Sequence, residues 1–207
     1  MPVAEHHAAV AAKRRVLEII DSITPDELVQ IVKATPSLRG MIAGNIAELK
    51  FLQHLRTFKV FSDFYKPDDH NRAENKIDLC FKYNGRRVTV QLKSIQTNSI
   101  KWDANDNCLK CNVQNDGSDK RDIRLPNGNV VSTTNYKFGD YDILAVPLFP
   151  FTGKWDFVYL PNSKCTPTTS KKYSEADRRY LIRTVEHLTY PLSGQWSMDI
   201  IDTISRL

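Results

Sequence analysis

The stretch KIDLCFKYNGRRVTVQLK, residues 76–93, decides the fold. Apolar and polar residues alternate on both sides of Asn84-Gly85, with the two-residue period of a half-buried β-strand. An Asn-Gly pair between two such runs is the strongest short-range signal of a hairpin, because both residues accept the positive φ of a tight turn. The sequence therefore predicts two antiparallel strands, over residues 76–83 and 87–93.

Three polar residues of this hairpin are placed to act together. Gln91 and Lys93 are two residues apart and so share a face of their strand, and Asp78 lies across the turn. Aspartate and a glutamine carbonyl are hard oxygen ligands of the kind that Mg²⁺ accepts. A lysine beside them can orient an attacking water and stabilise negative charge on a phosphate. The simpler alternative is a surface ion pair between Asp78 and Lys93, worth under ~1 kcal/mol.

A long amphipathic helix is predicted over about residues 39–58. On a helical wheel Glu48 falls inside its apolar arc, between Leu55 and Leu52. A buried carboxylate needs a partner, because its desolvation costs several kcal/mol. The interpretation we favour is that Glu48 faces the hairpin as a metal or water ligand. The alternative is a position at the edge of the arc, paired with Arg56 or Lys50.

The order of these elements resembles the PD-(D/E)XK nuclease superfamily, and type II restriction endonucleases in particular. The resembling segments are GNIAE at residues 44–48, KIDL at 76–79 and QLK at 91–93. The resemblance implies an α/β fold with a restriction-endonuclease-like mixed β-sheet flanked by helices. It also implies fourth and fifth core strands at about residues 141–146 and 155–160 and cleavage of DNA with Mg²⁺, for which Mn²⁺ can substitute.

The resemblance also assigns roles to residues. It implies Glu48, Asp78, Gln91 and Lys93 as catalytic residues, with Asp78, Gln91, Glu48 and the backbone carbonyl of Leu92 holding the metal. Gln91 departs from the usual glutamate of the family and leaves the site one charge short. Some members with the same glutamine recruit the helix glutamate, and Glu48 would be that substitute.

The domain organisation is predicted to be a single nuclease domain over residues 1–207. Residues 1–38 are predicted as an N-terminal helical extension, 39–160 as the catalytic core and 161–207 as a C-terminal helical segment. Within that last segment, a helix is predicted from a cap at Ser174 to about Leu188. No linker rich in Gly, Ser or Pro divides the chain.

Composition limits the classes of protein. No apolar run approaches the ~20 residues that cross a bilayer, and the N-terminus lacks the order of a signal peptide, so we expect a cytoplasmic protein without membrane partners. In that compartment the four cysteines are expected to be reduced. Cys108 and Cys111 have zinc-like spacing, but no second close pair or histidine accompanies them.

The formal net charge of +5 permits a polyanionic partner. Double-stranded DNA is the expected one, and no nucleotide cofactor is expected. Basic residues that could meet its backbone, and polar residues that could read its bases, are Lys13, Arg14, Arg15, Gln96, Asn98 and Lys101.

Several functions fit these observations. The leading interpretation is a type II restriction endonuclease that cuts palindromic DNA as a homodimer. A Holliday-junction resolvase or DNA-repair nuclease of the same fold is the nearest alternative, and a homing-type nuclease is less expected. A non-catalytic DNA-binding module and a plain interaction domain belong to other classes. A non-catalytic DNA-binding module would not need to retain all four site residues. A plain interaction domain would give no reason for a glutamate, Glu48, inside the apolar arc of the helix.

Overall fold

The computed structural model describes residues 18–19, 21–67 and 77–207. Lys13, Arg14 and Arg15 lie outside the described residues, as does the start of the predicted strand at Lys76. The chain divides between Ala43 and Gly44 into two compact units.

The helices with described bounds are α1 (Pro25–Ala34), α2 (Pro36–Leu55), α3 (Phe149–Thr152), α4 (Glu175–Arg178) and α5 (Ile200–Ser205). The strands are β1 (Phe61–Tyr65), β2 (Leu79–Tyr83), β3 (Arg86–Leu92), β4 (Lys101–Asp103), β5 (Cys108–Gln114), β6 (Asp116–Arg124), β7 (Val130–Asn135), β8 (Ile143–Pro147), β9 (Phe157–Pro161) and β10 (Val185–Tyr190).

Helix α1 starts where the sequence provides a cap. The Thr24 hydroxyl accepts the backbone N–H of Glu27, and the Glu27 carboxylate accepts the backbone N–H of Thr24 at 2.9 Å. This reciprocal capping box satisfies two N–H groups that would otherwise lack a partner. The helix ends at Ala34 because Pro36 disfavours helical geometry at Thr35.

The second unit is built on a five-stranded sheet in the order β1-β2-β3-β8-β9. Strands β3 and β8 are parallel and the other neighbours are antiparallel, so the sheet is mixed. The predicted hairpin is confirmed: Leu79 pairs with Val90, and the turn residues Asn84 and Gly85 have φ of 49° and 77°. The predicted fourth and fifth core strands are confirmed as β8 and β9.

Helices pack against this sheet through one apolar cluster. Ala47, Phe51 and Leu55 of α2 and Ile200 and Ile204 of α5 are buried in it. The α/β class, with a mixed sheet flanked by helices, is therefore confirmed in this coarse form.

The buried side of α2 differs from the predicted apolar arc. Ile46 and Leu49 of α2 are apolar, yet they are 40% and 54% exposed. The buried stripe is Ala47-Phe51-Leu55, at successive four-residue steps. Glu48 lies at the margin of this stripe and is partly exposed, so the prediction that it is buried was wrong.

The predicted C-terminal helical segment was also wrong. The Ser174 side chain does cap a helix, but α4 ends at Arg178, and the chain then forms strand β10 and the short helix α5. Strand β10 pairs with β5 along its whole length, from Val185 opposite Gln114 to Tyr190 opposite Leu109. Pairing with β5 therefore determines the secondary structure of residues 185–190, although their local sequence pattern also permits a helix.

Two smaller sheets follow the hairpin. Strands β10-β5-β4 form one, and β6 and β7 form a two-stranded ribbon whose turn contains Gly128 with φ of 89°. No helix within the described ranges is long and apolar enough to span a membrane.

Candidate active site

Asp78 and Gln91 meet where β2 begins and β3 ends. The side-chain amide of Gln91 donates to Asp78 Oδ2 at 2.6 Å, and the backbone N–H of Leu92 donates to the same oxygen at 2.7 Å. The ladder places them there, because the backbone N–H of Asp78 donates to the Val90 carbonyl at 2.9 Å. The hairpin thus aligns the two side chains with no intervening loop.

The other end of the Gln91 amide is left without a partner. Gln91 is 3% exposed, and its Oε1 is buried without a hydrogen bond to any described residue. An unmet buried acceptor costs about 1–3 kcal/mol. Exchanging the oxygen and nitrogen of the Gln91 amide would not give the oxygen a hydrogen-bond donor, because Oε1 would then face the Asp78 carboxylate. The arrangement fits a site that holds a cation on Gln91 Oε1.

The charge of Asp78 is poorly stabilised by the protein. Burial raises the pKa of Asp78 from 3.8 to about 6, the backbone hydrogen bond from Leu92 and the charge of Lys93 lower it, and Glu48 raises it further. A carboxylate destabilised in this way gains from a divalent cation beside it.

Lys93 lies directly after β3, and its backbone N–H donates to the Ala145 carbonyl at 3.0 Å. Its Nζ donates to the backbone carbonyl of Asp116 at 3.0 Å and lies 5.4 Å from the ring centroid of Tyr136. Burial lowers the pKa of Lys93, against the charges of Asp78 and Asp116. The alternative of a surface ion pair with Asp78 is not formed among the described residues.

Glu48 is held by a residue that the sequence did not suggest. Its Oε2 accepts Lys66 Nζ at 2.6 Å, rather than Arg56 or Lys50, and its side chain is 29% exposed. Glu48, Lys66 and Asp78 line one cavity of about 200 Å³, whose other lining residues are Asn45, Leu49, Phe51, Leu52, Leu79 and Leu92. Lys66 follows the short strand β1, and no motif marks it in the sequence.

The donors suit Mg²⁺ in kind but are few. Within the parts of the chain that the structure describes, no three His, Cys, Asp or Glu side chains are placed to hold a metal. Glu48 and Asp78 supply only two carboxylates, so a third oxygen would come from Gln91 or from the backbone carbonyl of Leu92. Such a set leaves several positions for water, as Mg²⁺ prefers.

Sequence reasoning missed the surroundings of Lys93. Asp116 and Arg121 belong to β6, and Tyr136 directly follows β7. Asp116 Oδ1 is buried without a hydrogen-bond partner, and Arg121 lies against the same Tyr136 ring as Lys93. These residues are more than twenty positions from Lys93 in the chain, and only the fold brings them near it.

The residues predicted to read DNA bases lie together elsewhere. Gln96, Asn98 and Lys101 line a cavity of about 760 Å³ beside the β10-β5-β4 sheet. Asn112 and His187 also line it and are joined by a hydrogen bond of 3.0 Å between Oδ1 and Nδ1.

Cys108 and Cys111 are not part of a metal-binding cluster in the segments that the structure describes. Both are free, buried thiols of β5, and a three-residue step places them on opposite faces of a strand. Burial raises the pKa of Cys111 to about 11, which disfavours the thiolate that zinc binds.

Comparisons with protein-family models and with curated proteins found no match. Among solved structures, a bacterial homing endonuclease, I-Ssp6803I, is similar with a TM-score of 0.36 and 15% sequence identity, over 68% of this chain and 87% of that one. A likeness of this strength carries no inference about activity, which has to come from the geometry of the site.

Proposed function

We propose that the protein is a Mg²⁺-dependent DNA endonuclease. The observation that carries this proposal is the meeting of Asp78 and Gln91, whose amide oxygen is buried without a partner, beside the half-buried Lys93. A purely structural pair would be expected to satisfy that oxygen. Together with Glu48, these residues make up the four that the family resemblance implies as catalytic. The charges of Glu48 and Lys93 both affect the pKa of Asp78.

Asp78, Gln91, Glu48 and the backbone carbonyl of Leu92 would hold the metal, and Mn²⁺ would be accepted in its place. When bound, Mg²⁺ supplies Lewis acidity toward a phosphate oxygen and a water. Asp78 is fixed by two hydrogen bonds on Oδ2, which leaves Oδ1 for the cation. Gln91 contributes an oxygen but no charge, so Glu48 would supply the second negative charge.

Lys93 would act on the phosphate. Its ammonium is anchored by the Asp116 carbonyl and keeps two further N–H donors. In a water-poor site a fixed positive charge stabilises the negative charge that develops during hydrolysis. It can also orient the attacking water.

The substrate would be double-stranded DNA, read by Gln96, Asn98 and Lys101 from the cavity beside the β10-β5-β4 sheet. Asn and Gln side chains pair with adenine edges and lysine with guanine. A type II restriction enzyme acting as a homodimer is the specific form we propose.

The test is incubation with plasmid and phage DNA, with Mg²⁺ or with EDTA. Discrete bands that appear only with Mg²⁺ support a restriction enzyme. Cleavage confined to cruciform or branched DNA supports a resolvase instead. A mobility shift without cutting in Mg²⁺ contradicts the proposal and indicates a non-catalytic DNA-binding module.

A further inference from the structure

The side chain of Arg121 is largely buried and makes no hydrogen bond to the residues that the structure describes. Its side chain is 20% exposed, and Nε and Nη2 are buried without a hydrogen-bond partner among the described residues. The nearest carboxylate oxygen in the described part of the chain is Asp140 Oδ2, which is 3.8 Å from Nη2 and beyond hydrogen-bond distance. Unmet donors on a desolvated cation are costly, so their retention needs an explanation.

Asp140 does not supply that explanation. Its Oδ2 accepts the backbone N–H of Lys137 at 2.9 Å, and Oδ1 lies 3.9 Å from Lys137 Nζ. Its carboxylate accepts a hydrogen bond from its own turn, and its contact with Arg121 is a long ion pair. A guanidinium binds best through two parallel hydrogen bonds to a planar or tetrahedral oxyanion, and that geometry is missing here.

The position of Arg121 connects it to the candidate active site. Its guanidinium carbon lies 5.2 Å from the Tyr136 ring centroid, and Lys93 Nζ lies 5.4 Å from the same centroid. Arg121 is also one of the charges that lower the pKa of Lys93. Two cations therefore share one aromatic ring.

The charge balance around the ring favours Arg121 as the anion-binding cation. The charges of Asp78 and Asp116 both act on Lys93. Among the described residues, the one carboxylate within 4 Å of the Arg121 guanidinium is that of Asp140, at 3.8 Å. An oxyanion that approaches Lys93 would thus meet the less compensated charge on Arg121.

Gly117 makes room for the guanidinium. A β-carbon at Gly117 would come within 2.6 Å of Arg121 Nη1, closer than non-bonded atoms approach. Gly117 follows Asp116, whose carbonyl anchors Lys93, so one short segment positions both cations. Any side chain at position 117 would push Arg121 away from this position.

We propose that Arg121 binds a backbone phosphate of DNA beside Lys93. This inference rests on the proposed nuclease function and adds a residue that the sequence pattern does not contain. Arg121 would act on affinity and on the position of the phosphate, while Lys93 acts on the chemistry.

The experiment measures DNA binding to one duplex fragment over a range of KCl concentrations, in Ca²⁺ so that the DNA stays intact. Each phosphate contact contributes about 0.9 to the slope of log affinity against log salt. Arg121→Ala should reduce the slope by about that amount and weaken binding about tenfold or more, uniformly across sequences. Arg121→Lys should keep the slope and lose part of the affinity, because lysine retains the positive charge but cannot donate two parallel hydrogen bonds to a phosphate.

Gly117→Ala provides an independent test, because it displaces the guanidinium without removing it. It should reproduce the direction of the Arg121→Ala effect while thermal unfolding stays near that of the parent. Arg124→Ala is the matched control: Arg124 is exposed on the same strand and three residues away, on the opposite face. It should leave the slope unchanged.

The inference about Arg121 is overturned if the parent binds and cuts DNA but Arg121→Ala and Gly117→Ala both keep the parental slope. The proposed nuclease function would then still stand. If Arg121→Ala does not fold, the slope measured for Gly117→Ala and the affinity measured for Arg121→Lys decide in its place. A parent that neither binds nor cuts DNA overturns both proposals.

Discussion

Gln91 and Asp78 are joined by a hydrogen bond of 2.6 Å from Nε2 to Oδ2, and this bond orients the glutamine so that Oε1 stays buried and unpaired. One interaction thus leaves an oxygen lone pair and a destabilised carboxylate side by side. The unpaired oxygen and the buried negative charge both destabilise the protein when no cation is bound. The same two groups would bind a cation placed between them favourably. The pair thus lowers the stability of the metal-free protein in exchange for a place to bind a cation.

The first prediction concerns the stability of the metal-free protein. Burial raises the pKa of Asp78 to about 6, so the folded protein binds this proton more tightly than the unfolded chain does. The stabilisation from the protonated group is present below the unfolded value near 3.8 and is lost as pH rises through about 6. Asp78→Asn in EDTA should therefore be more stable than the parent at neutral pH, by at most about 3 kcal/mol.

Denaturant unfolding of both proteins in EDTA across this pH range checks the prediction. The advantage of Asp78→Asn should shrink as pH falls from 7 toward 4. Asp119→Asn, an exposed aspartate on β6, should show no such trend. An advantage independent of pH would contradict an elevated pKa for Asp78.

The second prediction concerns Glu48. Its substitution by Gln leaves Asp78 as the only anionic side chain proposed to hold the metal. Cleavage should fall by at least ~100-fold, the upper end for loss of a supporting ligand. High Mg²⁺ should restore part of the rate. Lys66→Met, which removes the ion-pair partner and keeps both carboxylates, should be milder than Glu48→Gln. Parental cleavage by Glu48→Gln would show that the helix glutamate has only a structural role.

The third prediction concerns the Gln91→Glu variant. It replaces the donor to Asp78 by a second carboxylate, so two negative charges would face each other across the present 2.6 Å contact. The melting temperature in EDTA should fall, and Mg²⁺ should raise it more than it raises that of the parent. Cleavage in Mg²⁺ should be tolerated, because an oxygen is kept and a charge is gained. A variant whose stability does not respond to Mg²⁺ would argue against metal binding at this pair.

The fourth prediction concerns the choice of metal. Mg²⁺ or Mn²⁺ should support cleavage, and Ca²⁺ should support binding with little turnover, because its looser coordination shell positions water poorly. Cleavage rates and mobility shifts measured with each ion after EDTA treatment check this. Undiminished cutting in EDTA would rule out a metal mechanism.

The hairpin could be predicted from the sequence because its signals are local. Alternation fixes the faces of the strands, and the Asn84-Gly85 turn fixes their register, so Asp78 and Gln91 had to meet. The helix that carries Glu48 was also predictable, but its rotation was not. Ala47 is buried, whereas the bulkier Ile46 and Leu49 are exposed. Which of these residues is buried depends on how closely the helix approaches the sheet.

The environment of Lys93 and the C-terminal strand could not be predicted from local pattern. Asp116, Arg121 and Tyr136 reach Lys93 through the β6-β7 ribbon, whose position relative to β3 leaves no periodic signal. Strand β10 forms because Leu188 is buried beside Cys111 of β5, a pairing between distant segments. Lys66 likewise meets Glu48 only through the tertiary fold.

The central claim is that Asp78 and Lys93 act on the metal and on the reacting phosphate. The most direct measurement is single-turnover cleavage of plasmid DNA in Mg²⁺ by the parent, Asp78→Ala and Lys93→Ala, with Lys120→Ala as an exposed lysine control. We expect Asp78→Ala and Lys93→Ala to lose cleavage while they bind DNA within about tenfold of the parent, and we expect Lys120→Ala to cut normally. Near-normal cleavage by Lys93→Ala would contradict the central claim.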